Sequence, residues 1–230
     1  VVAAASFVPL ERRAASPIMP LDIITRRSFA APIGALFFAN LAYMGGFIVT
    51  PVLLTNVLHK SVAQTALVTL FRPLSFSLSA PIAGYVAVRV GERRTATVGM
   101  ILIVASMLTF VLGVPSQSVS FVVAALVISG AGMGIASPAL QASAANAVES
   151  RQLGVASAAQ QMVSQVGAVV GITVLATISA GAHVTTPFVR AYATGGSLAL
   201  IGVAAALAVR STHRNAAPTA DVAVDAAMRV

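Results

Sequence analysis

Residues Val119 to Asn146 read VSFVVAALVISGAGMGIASPALQASAAN, a run without a single Asp, Glu, Lys, Arg or His. It is longer than the roughly 20 apolar residues that a helix needs to cross a hydrocarbon core. Working outward, similar runs cover Ala30–Val57, Val62–Ala87, Thr95–Gly113, Leu153–Ala180 and Arg190–Val209, each separated from the next by a short, more polar loop. Backbone N–H and C=O groups cannot stay unpaired in lipid, so each run predicts a helix. Strands of a membrane barrel would alternate in segments of about ten residues, whereas these runs are continuous. The expected fold is therefore all-α and integral to a membrane. Residues 30–210 form a six-helix transmembrane bundle, residues 1–29 the end of a preceding span with a linker, and residues 211–230 a tail.

Composition supports this. Of 230 residues, 58% are hydrophobic and 9% charged, against about 25% charged in soluble domains, and mean hydropathy is +0.93. Such a chain has too little polar surface to coat itself against water. There is no cysteine, which excludes disulfides, thiolate metal sites and a Cys nucleophile. The net charge of +8 would suggest nucleic acid in a soluble protein. Here the basic residues flank apolar spans, where lipid headgroups and topology account for them, so no nucleic-acid partner is expected.

One set of span ends carries Arg12, Arg13, Arg26, Arg27, Arg89, Arg93, Arg94, Arg151, Arg210, Arg214 and Arg229, and the other only Lys60 and Arg190. The positive-inside rule then predicts a multi-pass protein of the cell membrane with both ends of this segment cytoplasmic. An even number of spans requires the ends to share a side. Val1–Leu10 is apolar and followed by Glu11-Arg12-Arg13, the reverse of a signal peptide. It reads as the end of a cut-off span, and the chain as the carboxy-terminal part of a longer protein. The Ala-rich tail with Asp221 and Asp225 is expected to be disordered.

Every carboxylate (Glu11, Asp22, Glu92, Glu149, Asp221, Asp225) falls in a loop or tail, so a proton-titrating acid would have to come from elsewhere. Arg72 is the one basic residue deep within a span, and its cost there is about 3 to more than 10 kcal/mol. Thr65, Thr69, Arg72, Ser75 and Ser79 follow helical steps of three and four, making one polar stripe. The functional reading is a cavity-lining cation. The structural one is an Arg satisfying carbonyls freed by Pro73 or Pro81. Asn40, Tyr43, Phe47 and Thr50 lie on one face of the first helix and suit a pocket wall or interhelical hydrogen bonding.

In the fourth span, Gly130, Gly132 and Gly134 permit close helix approach, Pro138 predicts a kink and Gln141 is a pocket candidate. In the fifth, Ser157, Gln160, Gln161, Ser164 and Gln165 precede a Gly167/Gly171 pair, and all three glutamines are expected to point inward. The third and sixth spans, apolar in their middles, read as lipid-facing. No GxxxxGK[ST], HExxH or GxSxG motif occurs. His59, His183 and His213 are far apart in sequence, so neither enzyme nor metal site is expected.

Three segments carry a family resemblance. Residues Ser16-Pro17-Ile18-Met19-Pro20-Leu21-Asp22, then Arg26-Arg27-Ser28-Phe29, resemble a linker before the last six spans. Pro81-Ile82-Ala83-Gly84 with Arg89-Val90-Gly91-Glu92-Arg93-Arg94 resembles a loop signature. Gly132-Met133-Gly134 and Pro138, with Gly154-Val155-Ala156-Ser157 and Gln165-Val166-Gly167 before Gly171, resemble a fourth-to-fifth span region. Together they are similar to the carboxy-terminal half of a major facilitator superfamily transporter, in the fourteen-span EmrB/QacA-like drug:proton antiporter branch. The loop signature departs at Val88, where the family usually has Asp, which puts a gating role for this copy of the loop in doubt.

The resemblance implies one half of a major-facilitator-type bundle. The first and fourth spans would line a cavity, the second and fifth flank it, and the third and sixth face lipid. It implies proton-coupled efflux of drugs or other amphipathic small molecules by alternating access. Arg72, Asn40, Tyr43, Gln141, Gln161 and Gln165 would bind substrate, and Gly84, Arg89, Gly91 and Arg93 would form the loop signature. The partners would be the lipid bilayer, a small-molecule substrate and the missing amino-terminal half, with no cofactor and the proton gradient as driving force. A carrier for a nutrient or metabolite, and a non-transporting six-helix remnant or scaffold, are the alternatives.

Overall fold

The computed structural model describes residues 26–209, and no strand forms among them. The expectations for Arg12, Arg13, the linker at residues 16–22, and the tail with Arg210, Arg214, Asp221, Asp225 and Arg229 lie outside the described residues. Seven α-helices follow among the described residues: α1 (Arg27–Asn56), α2 (Val62–Thr69), α3 (Phe71–Val90), α4 (Glu92–Gly113), α5 (Val119–Asn146), α6 (Leu153–Ser179), preceded by a 3-10 turn at Ser150–Gln152, and α7 (Thr185–Leu207). With α2 and α3 taken together, they make six helical spans long and apolar enough to cross a membrane. The protein is an all-α membrane bundle.

Local chemistry sets most boundaries. Ser61 accepts from the Gln64 N–H while the Gln64 side chain accepts from the Ser61 N–H, a reciprocal cap that starts α2. The second span is not the single helix expected. It breaks at Leu70 because Pro73 has no N–H to offer the Thr69 carbonyl. Gly91, at φ +95°, turns α3 into α4 within one residue, a conformation that side-chain-bearing residues rarely adopt. The second span accordingly runs to Val90 and the third begins at Glu92, beyond the bounds read from hydropathy. The sixth span begins at Thr185, so Arg190 lies within α7, near its start and exposed.

The packing has an internal two-fold pattern. In span numbers, the strong pairings are one with four, five and six, two with four, and three with four and six. Exchanging spans one, two and three for four, five and six returns the same set. Because successive membrane-crossing helices reverse direction, the two triplets are inverted copies in arrangement. The main core, with Met100, Ile103, Met107, Phe110, Leu126 and Tyr192, fills the centre. A smaller cluster of Phe29, Ile33, Ala144, Val148, Ala156 and Ala159 closes the arginine-bearing end between α1, α5 and α6. The second and fifth spans are least covered, with 11% and 28% of their apolar windows buried against 39% to 56% in the other four.

Candidate functional site

Arg72 stands near the start of α3 and is fully buried. Its Nη2 donates to the Tyr43 carbonyl at 2.5 Å and to Ser129 Oγ at 2.9 Å. Its guanidinium carbon lies 3.8 Å from the centre of the Tyr43 ring and 5.8 Å from that of Phe47, a cation–π arrangement strengthened by exclusion of water. Nε and Nη1 have no hydrogen-bond partner among the described residues. The side chain thus ties α3 to α1 and α5 with two guanidinium nitrogens left without a partner among the described residues.

The carbonyl it satisfies belongs to Tyr43 of the first span. The structural alternative read from the sequence, carbonyls freed by Pro73 or Pro81, is therefore corrected. The polar stripe of the second span faces the packed seam with α5. There Ser75 Oγ donates to the Val127 carbonyl at 2.7 Å, and Ser79 Oγ returns to the Ser75 carbonyl.

Gly46 joins this centre to a second one. A Cβ at Gly46 would lie 3.8 Å from both Arg72 Nη2 and Tyr192 Cε1. Tyr192 is buried in α7, shares a 2.9 Å hydrogen bond between its hydroxyl and Thr50 Oγ1, and stacks on Phe110 at 4.2 Å. Sequence reading passed over Tyr192, Ser129 and Phe110. Tyr192 had a usable signal, a phenol within a membrane-length span, since buried Tyr hydroxyls find partners. It also corrects the picture of the sixth span as purely lipid-facing. The outer faces of α4 and α7 do expose Ile101, Leu108, Leu200 and Ile201, but α7 turns a polar group inward.

The other candidate residues are dispersed. Asn40 is buried and donates to the Leu36 carbonyl within its own helix. Gln141 is exposed and donates to Ser137 Oγ at 2.7 Å. Gln160 is buried, but Gln161 and Gln165 lie on the exposed face of α6 with Ser157. The expectation that all three glutamines point inward holds for Gln160 alone. At 100° per residue, positions 160 and 165 sit about 140° apart on a helix and cannot share one buried stripe. Of the substrate-binding candidates, Arg72 and Tyr43 are brought into direct contact.

The small residues mark close approaches. A Cβ on Gly130 would fall on the Arg72 carbonyl oxygen and one on Gly134 on Ser79 Oγ. Gly167 and Gly171 seat against the Phe37 and Leu41 carbonyls of α1. Pro138 lies inside α5, which runs through it and leaves the Gly134 carbonyl without its helical donor. Gly84 has open space around it, and the arginines at 89, 93 and 94 are exposed. No group of three or more His, Cys, Asp or Glu forms among the described residues.

Comparison with known proteins follows the same lines. The family model described as Major Facilitator Superfamily matches residues 33–226. Multidrug resistance protein Stp of Mycobacterium tuberculosis is 26% identical over 179 residues, 78% of this chain and 33% of that protein. The lincomycin resistance protein of Streptomyces lincolnensis is 30% identical over 220 residues, 94% of this chain and 46% of that protein. The multidrug transporter protein MdtP of Bacillus subtilis is 22% identical over 173 residues, 75% of this chain and 32% of that protein. The chain spans about a third to a half of the length of these curated relatives. The match over most of its residues, on a bundle of six membrane-length helices, shows that the chain belongs to the Major Facilitator Superfamily, a family of membrane carriers rather than enzymes.

Proposed function

We propose that this chain is the carboxy-terminal six-span half of a drug exporter of the EmrB/QacA-like fourteen-span branch, in the cell membrane, with both ends of the segment cytoplasmic. The reading is supported by relatives named for multidrug and lincomycin resistance. The observation that carries a transport path is Arg72: a fully buried guanidinium with two nitrogens unpartnered among the described residues, set against Tyr43 and Phe47. A stably closed core would not retain such a group without a reason, since intramembrane charge is costly.

In this proposal the open faces of the second and fifth spans meet the rest of the transporter, and rocking of the two halves exposes the Arg72 centre to each side in turn. Tyr43 and Asn40 approach the substrate from the first span, and Gln141, Gln161 and Gln165 from the fourth and fifth. The guanidinium repels a bare cation. Its counterpart is an anionic or neutral substrate, or a carboxylate from the other half. The proton gradient drives efflux, with the titrating acid in that other half.

The test uses inverted vesicles holding the transporter that contains this chain, supplied with a drug panel, sugars and organic anions. Drug accumulation that collapses with the pH gradient is the expected result. Uptake of sugars or metabolites with no drug transport would move the protein to the nutrient-carrier alternative. No transport of any class would favour the scaffold.

A further inference from the structure

Three buried side-chain atoms of the second span have no hydrogen-bond partner among the described residues: Thr65 Oγ1, Arg72 Nε and Arg72 Nη1. Thr65 is 7% exposed and Arg72 0%. Two helical turns separate them, which places both on one face of the span, about 10 Å apart along its axis. A guanidinium can only donate, and a hydroxyl can donate as well. What this face lacks is acceptors.

It also lacks negative charge. No Asp or Glu occurs between residues 23 and 91. Glu92 stands at the far end of α3, about 30 Å along the helix from Arg72. Glu149 lies beyond the same end of the bundle, past the last turn of α5. The geometry of the guanidinium narrows the choice further. Nη2 already serves two acceptors, the Tyr43 carbonyl and Ser129 Oγ. A forked, two-oxygen grip uses Nη2 on either edge of the group, so a newcomer meets Nε or Nη1 through a single oxygen. The neighbourhood is aromatic. The half-buried Tyr43 ring covers the guanidinium, and Phe47, 42% exposed, follows one turn nearer the Lys60 end. Thr65 lies toward that same end, because α1 and the second span run in opposite directions.

We propose that Arg72 and Thr65 hold a lipophilic aromatic monoanion as the transported substrate. Its charged oxygen meets Arg72 Nη1, its ring lies against Tyr43 and Phe47, and an acceptor further along its body reaches Thr65 Oγ1. This deepens the reading of Arg72 as the transport centre and rests on it for access, since the guanidinium is covered in the structure. One negative charge makes a neutral pair, which suits a medium of low dielectric. A cationic amphiphile would set like charges a few ångströms apart. An inorganic anion would answer Arg72 and leave Thr65 unmet. A carboxylate from the rest of the transporter would seek the fork that Tyr43 and Ser129 already occupy.

The experiment uses the transporter that contains this chain, in detergent, with three dyes of one length: a nitroazobenzene phenol, its methyl ether and its trimethylammonium analogue. In equilibrium dialysis at a pH where the phenol is ionised, the phenolate should be retained about tenfold better than the ether, and the cation least. The phenol changes colour as it ionises. Bound to the unaltered protein it should do so at about tenfold higher proton concentration than with Arg72→Met, and Arg72→Lys should keep the early transition. Thr65→Val should weaken retention about threefold and leave the transition in place. Should a variant fail to fold, the ranking of the three dyes by the unaltered protein decides alone. Equal retention of the dyes, or a transition that Arg72→Met does not move, would overturn the site. So would displacement of the phenolate by chloride at equal concentration. Preference for the cation would overturn it while leaving drug efflux standing. Phenolate binding without drug export from vesicles would keep the site and sink the efflux reading instead.

Discussion

The seams α3–α5 and α1–α6 occupy equivalent places in the two-fold pattern, yet they are held in different ways. In α1–α6, Gly45, Gly167 and Gly171 bring backbone against backbone, with the place of a Gly171 Cβ taken by the Leu41 carbonyl oxygen. In α3–α5, Gly130 and Gly134 allow a similar approach, but Arg72 and Ser75 add hydrogen bonds to Ser129 and the Val127 carbonyl. The backbone arrangement repeats while the chemistry does not. Close packing is what both triplets need to form a bundle. A buried cation is needed by only one, which separates architecture from function within a single chain.

The comparison breaks most readily at the glycines. Gly171→Leu is expected to cost about 3 kcal/mol or more, because only backbone movement could relieve the clash. Loss of monodisperse protein and a lowered Tm in detergent would register it. Gly130→Leu should do the same at the counterpart seam, where the Arg72 carbonyl oxygen occupies the space. If one seam tolerates leucine, the two are not mechanically equivalent.

Arg72→Met probes the chemical difference. Removing a buried charge of similar length should leave stability within about 2 kcal/mol of the parent, since apolar replacement of buried ions is often neutral or better. Transport should fall by about tenfold or more. Unchanged transport in the vesicle assay would reduce Arg72 to a clamp between helices. Ser129→Ala is the finest cut. It deletes one hydrogen bond to a charged group and is expected to cost about 1.5 kcal/mol, seen as a modest drop in Tm. No drop would mean that the Tyr43 carbonyl and the aromatic rings hold the guanidinium without it.

The existence of the spans was legible because lipid imposes length and apolarity on each segment independently of its neighbours. The depth of Arg72 followed from the same counting. Which helix it would reach was not legible, since the Tyr43 carbonyl is a backbone group that any residue could have supplied. The Gly167/Gly171 spacing announced a close approach without identifying the carbonyls of Phe37 and Leu41 as its counterparts. The surroundings of Gln161 and Gln165 were not legible for a different reason: polarity in a span does not say which neighbour it meets, and these side chains lie on a face that the described helices leave open. Pro73 was visible as a helix breaker, but hydropathy averages across such breaks and hid the interruption at Leu70.

The single-residue connection at Gly91 has a mechanical corollary. Most of the other links between spans in the described structure are several residues long and can hinge. With no slack, α3 and α4 are pinned at one tip like the arms of tweezers, so any rearrangement must swing them together or spread them only at the far tip. The guanidinium groups flanking the pin would then keep their mutual spacing while the distant part of the bundle changes shape.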